Sequence, residues 1–186
     1  MNTEDFYRTI KIDNLAVIQE EVLKKIPENL LNNTNLTYIE NNKKIFLGIP
    51  ELYNFLESIK INEFVGSIAI NVTTAQSNGN CHVDSGPYKY SINIPILNCE
   101  NTFIDFYKVT GDHQIVYVEK HGTRHHFFKY TEDQCELIYR GDTSVPYLLG
   151  TKTPHRVIND SDNIRIMLLI RMFVDPRTQL IKSGRA

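Results

Sequence analysis

No run of about 20 uncharged apolar residues occurs in the 186-residue sequence, so a membrane-crossing helix is not expected. An excess of basic charge is also missing. Lys and Arg number 20 against 22 Asp and Glu, which leaves a net charge of −2 and an isoelectric point near 6.3. That balance argues against duplex nucleic acid or an anionic membrane surface as partner, a local basic patch apart. The opening residues Met1 to Asp5 are polar and acidic, with neither a basic n-region nor an apolar h-region, so no secretory signal is expected. Cysteine is scarce. Cys81, Cys99 and Cys135 are odd in number, widely spaced and form no CxxC pair, so neither a disulfide framework nor a zinc knuckle is expected. A reducing, cytoplasmic location is the default. Repeats, low-complexity tracts and internal linkers are absent too.

What is present is ordinary for a soluble globular chain: 41% hydrophobic and 23% charged residues. The length suits one domain over residues 1–186, with a helical N-terminal part over 1–63 and a β core over about 64–175. Ile12, Leu15, Ala16, Ile18, Val22, Leu23 and Ile26 recur at three- and four-residue steps, which predicts a helix capped by Asp13 or Asn14 and ended by Pro27. Pro50 opens a second helix to about Lys60, with Leu52, Phe55, Leu56 and Ile59 on one face. Asn32 to Asn35 read as the loop between them.

From Ser67 the pattern turns to strand. Tyr88, Tyr90, Ile92, Ile94 and Ile96 alternate with Lys89, Ser91, Asn93 and Pro95, which predicts a half-buried strand. Further strands are expected at Ser67–Thr73, Thr102–Val109, Gln114–Glu119, Glu136–Arg140, Tyr147–Gly150, His155–Asn159 and Ile164–Phe173. Two helices followed by roughly eight short strands predict a mainly β double-sheet jelly roll with the helices on one sheet.

His82-Val83-Asp84 is an H-x-D. On a strand end its two side chains share a face and can reach one ion. His155, after Pro154 at the start of a distant strand, completes a set of two imidazoles and one carboxylate. Such a set suits non-haem Fe(II), because it leaves adjacent positions open. Arg165 follows ten residues later. Its strand row continues through Met167, Leu169 and Arg171, and a charge on that apolar row must find a partner. A carboxylate in the barrel would suit its planar guanidinium, with Arg171 as the rival anchor.

His82-x-Asp84, Pro154-His155-Arg156-Val157-Ile158-Asn159 and Arg165 together resemble the 2-oxoglutarate/Fe(II)-dependent oxygenase superfamily, in its small, prolyl-hydroxylase-like form. The similarity covers roughly residues 65 to 175. It implies a double-stranded β-helix, with Fe(II) held by His82, Asp84 and His155. 2-Oxoglutarate would be bound at its far carboxylate by Arg165, and O2 consumed with release of succinate and CO2. Members that assist the arginine place Ser or Thr two residues on, where this chain has Met167. Tyr90 and Asn93, on the strand after H-x-D, are the candidates to supply that help. Asn71 lies at the offset where the AlkB-like branch contacts the co-substrate, although that branch's accompanying tyrosine falls at Thr73.

Arg156 adjoins the distal histidine, points away from the metal and is a candidate to touch substrate. The cluster from His121 to His126 reads as a solvated loop, with His125 a recognition candidate and not a ligand. The substrate is expected to be a small molecule or a protein side chain, and a homodimer is compatible with the sequence. Two alternatives stay open: a cupin-like metal enzyme that does without 2-oxoglutarate, and a non-catalytic jelly-roll binding module.

Overall fold

Period-two alternation builds both sheets of the computed structural model, which describes residues 3–31, 37–39, 43–84, 86–120 and 123–186. The loop expected at Asn32 to Asn35 lies outside the described residues, as do His121 and Gly122. In chain order the elements are β1 (Tyr7–Thr9), α1 (Leu15–Leu23), α2 (Glu28–Leu31), β2 (Thr37–Ile39), α3 (Lys43–Phe46), α4 (Pro50–Ser58), β3 (Val65–Thr73), β4 (Ser77–Asn78), β5 (His82–Asp84), β6 (Tyr90–Leu97), β7 (Thr102–Val109), β8 (Gln114–Lys120), β9 (Thr123–Lys129), β10 (Cys135–Asp142), β11 (Tyr147–Gly150), β12 (His155–Asn159), β13 (Arg165–Met172) and α5 (Arg177–Lys182). No helix among the described residues is long and apolar enough to cross a membrane.

The fold is a mainly β jelly roll of two antiparallel sheets. One sheet runs β1-β11-β6-β13-β3-β2, and the other runs β10-β7-β12-β5-β9-β8 with β4 added to β12. In the first sheet, one row of side chains faces the helices. Ile68, Ile70 and Val72 of β3, Ile92, Ile94 and Ile96 of β6, and Ile166, Leu168 and Ile170 of β13 pack against Ile18 and Val22 of α1 and Leu52, Phe55 and Leu56 of α4. Fully burying one such side chain contributes about 1.5–3 kcal/mol, so this layer is the main source of cohesion. The opposite row faces the second sheet, where Phe6, Tyr7, Ile104, Phe106, Tyr147, Leu149 and Met167 form a smaller core.

The helices follow the expected periodicity. Asn14 sits at the N-cap of α1 with φ 55°, a left-handed conformation that Asn tolerates, but its side chain makes no capping bond. Pro50 occupies the first turn of α4.

Three readings need correction. The β6 strand is not half-buried: Ser91 and Asn93 are as buried as the isoleucines, because the polar row faces the barrel interior and not water. The chain around His125 and His126 is not a loop but the strand β9, hydrogen-bonded to β8 on one side and β5 on the other. The N-terminal part also contributes β1, paired to β11.

The turn between β12 and β13 sets the offset between His155 and Arg165. Buried Asn159 ties it down. Its Nδ2 donates to Thr74 O (2.8 Å) and Asn163 O (2.8 Å), while its Oδ1 accepts from Ser161 N (3.1 Å) and Ser161 Oγ (2.7 Å). Asn159→Ala should therefore leave several buried partners unsatisfied and lower the unfolding free energy by about 2–3 kcal/mol, read from urea denaturation.

Candidate metal centre and carboxylate pocket

β5 is three residues long, and His82 and Asp84 at its ends project to one face. His155, the first residue of β12, is the direct cross-strand partner of His82. The ligand atoms of all three lie within 4.8 Å of one another. The two imidazole centroids are 4.6 Å apart, and His82 Nε2 is 3.6 Å from Asp84 Oδ1.

Both imidazoles are oriented in the same way. His82 Nδ1 is 2.8 Å from Asn80 O, and His155 Nδ1 is 2.8 Å from Thr153 O. A carbonyl oxygen can only accept, so each Nδ1 carries a proton and each ring is held with Nε2 as the remaining ligand atom. Burial, with His82 adding to it, pushes the His155 pKa down to about 4, so this ring is neutral near pH 7. Burial pushes the Asp84 carboxyl up, but His155, His82, Arg171 and Lys152 together hold it below the usual carboxylate range. Two imidazoles and one carboxylate on one face fit a divalent metal with open positions.

Arg165 opens β13 on the inward row, 1% exposed. Nη1 makes only long contacts, to Thr73 Oγ1 (3.4 Å) and Asn71 Oδ1 (3.5 Å), and Nε has no partner. No ion pair to it occurs among the described residues. Tyr147 stands close enough to Arg165 and Asn93 for both to act on its phenol, and Asn93 Oδ1 accepts from Ser91 Oγ (2.6 Å). Burial pushes the Tyr147 phenol up, with Arg165 pulling back, so it stands as a neutral donor. A buried cation among neutral oxygens, with one N–H unused, fits an anionic group of a bound molecule.

Of the residues singled out in the sequence, His82, Asp84 and His155 come together at one end. Arg165, Asn71 and Asn93 come together deeper in the barrel. Tyr90 does not join them. It lies three positions from Asn93 on a regular strand, so the two side chains take opposite faces. The Tyr90 ring packs on the helix-side core, and its hydroxyl accepts from Arg177 Nη2 (3.2 Å). Arg156 is likewise held on the outer face of the second sheet. Nη1 pairs with Glu132 (3.0 Å), and the guanidinium lies over the Tyr107 ring near buried Asp105. That network ties it away from the metal side. His125 falls within β9, but its side chain lies outside what is described. Arg171 sits at the far end of the inward row, where it acts on Asp84 and lies 5.9 Å over the Tyr88 ring. It is therefore not the partner of the Asn71 and Thr73 cluster.

Sequence reasoning missed Tyr147 and Thr73. Thr73 was open to detection, being two residues from Asn71 on one strand. Tyr147 reaches the pocket from β11, two strands from β13, and nothing in sequence spacing marks it.

No family model matches the chain, and no curated protein matches it. Solved structures do. The "non-heme alpha ketoglutarate dependent carbocyclase SnoK from nogalamycin biosynthesis" is similar over 94% of this chain and 85% of its own, with TM-score 0.55 and 13% identity. The likeness at that identity is one of fold. The epimerase SnoN, solved with Fe3+, alpha ketoglutarate and nogalamycin RO, covers 89% of this chain and 78% of its own at TM-score 0.49 and 9% identity, too distant to carry an argument.

Reconstitution should give about one Fe(II) per chain by elemental analysis. His155→Ala and Asp84→Ala should each abolish this uptake, and Tyr90→Phe should leave it intact.

Proposed function

We propose that this chain is a non-haem Fe(II)- and 2-oxoglutarate-dependent oxygenase that oxidises a small molecule or a protein side chain, releasing succinate and CO2. The observation that carries the reading is Arg165: a fully buried guanidinium with no carboxylate partner among the described residues, on the same barrel interior as a His-Asp-His cluster. The fold it shares with an alpha-ketoglutarate-dependent carbocyclase supports the reading.

Iron with 2-oxoglutarate supplies O2 activation coupled to oxidative decarboxylation of that co-substrate. The chain's own residues bind and orient. His82 and His155 present Nε2 with their Nδ1 protons held by backbone carbonyls, so neither ring can turn without losing a hydrogen bond. Asp84 supplies the anionic ligand. Arg165, with Tyr147 and Thr73 beside it, receives the far carboxylate. Met167 and Leu169 line the inward row beyond Arg165 and keep water from the path between the two ends.

A cupin-like metal enzyme that does without 2-oxoglutarate would have Arg165 solvent-exposed or salt-bridged elsewhere, and a binding module would have no need of three converging ligand atoms.

With Fe(II), ascorbate and labelled 2-oxoglutarate, the protein should release labelled succinate in an iron-dependent manner. Arg165→Ala should raise the 2-oxoglutarate requirement roughly 10- to 100-fold, equivalent to the loss of about 1.5–3 kcal/mol of charge-assisted hydrogen bonding. No iron-dependent 2-oxoglutarate binding by calorimetry, and no succinate, would sink the oxygenase reading.

A further inference from the structure

We propose that the mouth of the metal centre takes a small ring-bearing carboxylate as substrate, with its ring against Phe127 and Val116 and its acid group facing Lys129; this rests on the oxygenase reading above. The placement follows from strand register. Asp84 stands opposite Phe127 of β9 and His82 opposite Lys129, so Phe127 and Lys129 share the face that carries the metal ligands. Val116 and Gln114 of β8 stand opposite Phe127 and Lys129 and extend that face outward. Phe127 and His82 touch edge-on, at 5.8 Å between centroids and 71° between planes. Phe127, Val116 and Lys129 are all half-buried, which leaves part of each accessible beside the centre. An apolar surface at that point holds a flat ring better than a polar chain.

Backbone pairing leaves no place for a peptide strand beside the ligand-bearing strand itself. β5 is hydrogen-bonded to β12 on one side and β9 on the other, so the strand that bears His82 and Asp84 has no free edge for β-addition.

Charge selects the acid. A divalent ion, the Asp84 carboxylate, Arg165 and a dicarboxylate co-substrate together sum to neutral. Among the described residues, lysines add positive charge beside this centre. Lys129 lies opposite His82. Lys152 donates to the carbonyls of Asp84 (2.7 Å) and Gly86 (2.6 Å). A substrate with one negative charge complements that field, and a cationic one is repelled.

The test is calorimetry under anaerobic conditions on protein loaded with Fe(II) and saturating 2-oxoglutarate, with 2-naphthoate and its neutral isostere 2-naphthamide as probes. The expected result is that the acid binds roughly 10-fold more tightly than the amide. Lys129→Gln should bring the two affinities together. Phe127→Ala should weaken both by about 5-fold, and Val116→Ala should weaken both in the same direction if Phe127→Ala does not fold. Equal binding of acid and amide overturns the proposal. So does no binding of either, an acid preference that survives Lys129→Gln, or naphthoate that competes with 2-oxoglutarate. Iron content and 2-oxoglutarate binding are read on the same samples. If 2-oxoglutarate does not bind, the oxygenase reading fails by itself, and the naphthoate comparison is read on the iron-loaded protein.

Discussion

Arg165 is the placement on which the arrangement of the barrel turns. A guanidinium at 1% exposure has given up its hydration, and an uncompensated buried ion costs several kcal/mol. The surroundings compensate only in part. Asn71, Thr73 and Tyr147 offer neutral oxygens, two of them at 3.4–3.5 Å, and Nε is left without a partner. A chain under selection for stability alone would place an apolar residue on this row, as it does at Met167 and Leu169. The stability forgone at Arg165 is recovered in the opposite direction, where the outward row of the same sheet packs on α1 and α4. The helical layer therefore supports the pocket, although none of its residues comes near the metal ligands.

The sheet's two unlike faces explain which parts of the molecule were legible in the sequence. On β13 the inward row carries two arginines among apolar residues, so the anomaly was visible, and Arg165 is buried. On β6 the same alternation was visible and predicts a strand buried on one face only. Ser91 and Asn93 are instead inside, because a barrel that holds a polar ligand needs polar groups facing inward. Period-two reasoning gives parity, not direction. It also shows why Tyr90 and Asn93 could not both serve one pocket: side chains three apart on a regular strand take opposite faces.

Other features could not be read at all. β9 carries Thr123 to Lys129, a run crowded with histidine and arginine, and polar composition at that point masked a strand. Its register against β5 exists only in three dimensions. Tyr147 is similar, since its hydroxyl reaches Arg165 and Asn93 from a strand with no sequence motif. His82, Asp84 and His155 were legible for the opposite reason: two are fixed by local periodicity, and the third by its offset from an arginine whose burial requires explanation.

Met167 departs from the pattern of a hydroxyl two residues after the arginine, and the structure gives this departure a physical reading. Met167 is fully buried and packs in the inner core with Phe106, Tyr147 and Leu149. A hydroxyl in its place would sit among apolar atoms and need a partner of its own. Tyr147 supplies a hydroxyl from across the sheet instead. Its ring stacks on Tyr7 at 5.3 Å, so the phenol is fixed by packing. β1, which carries Tyr7, is thereby linked to the carboxylate pocket through one aromatic contact. Gly141 allows that contact, because a Cβ there would come within 2.5 Å of the Tyr7 ring. The N-terminal strand is thus part of the pocket's support, and the apolar stretch from Met167 to Leu169 is free to exclude water along the path towards the metal ligands.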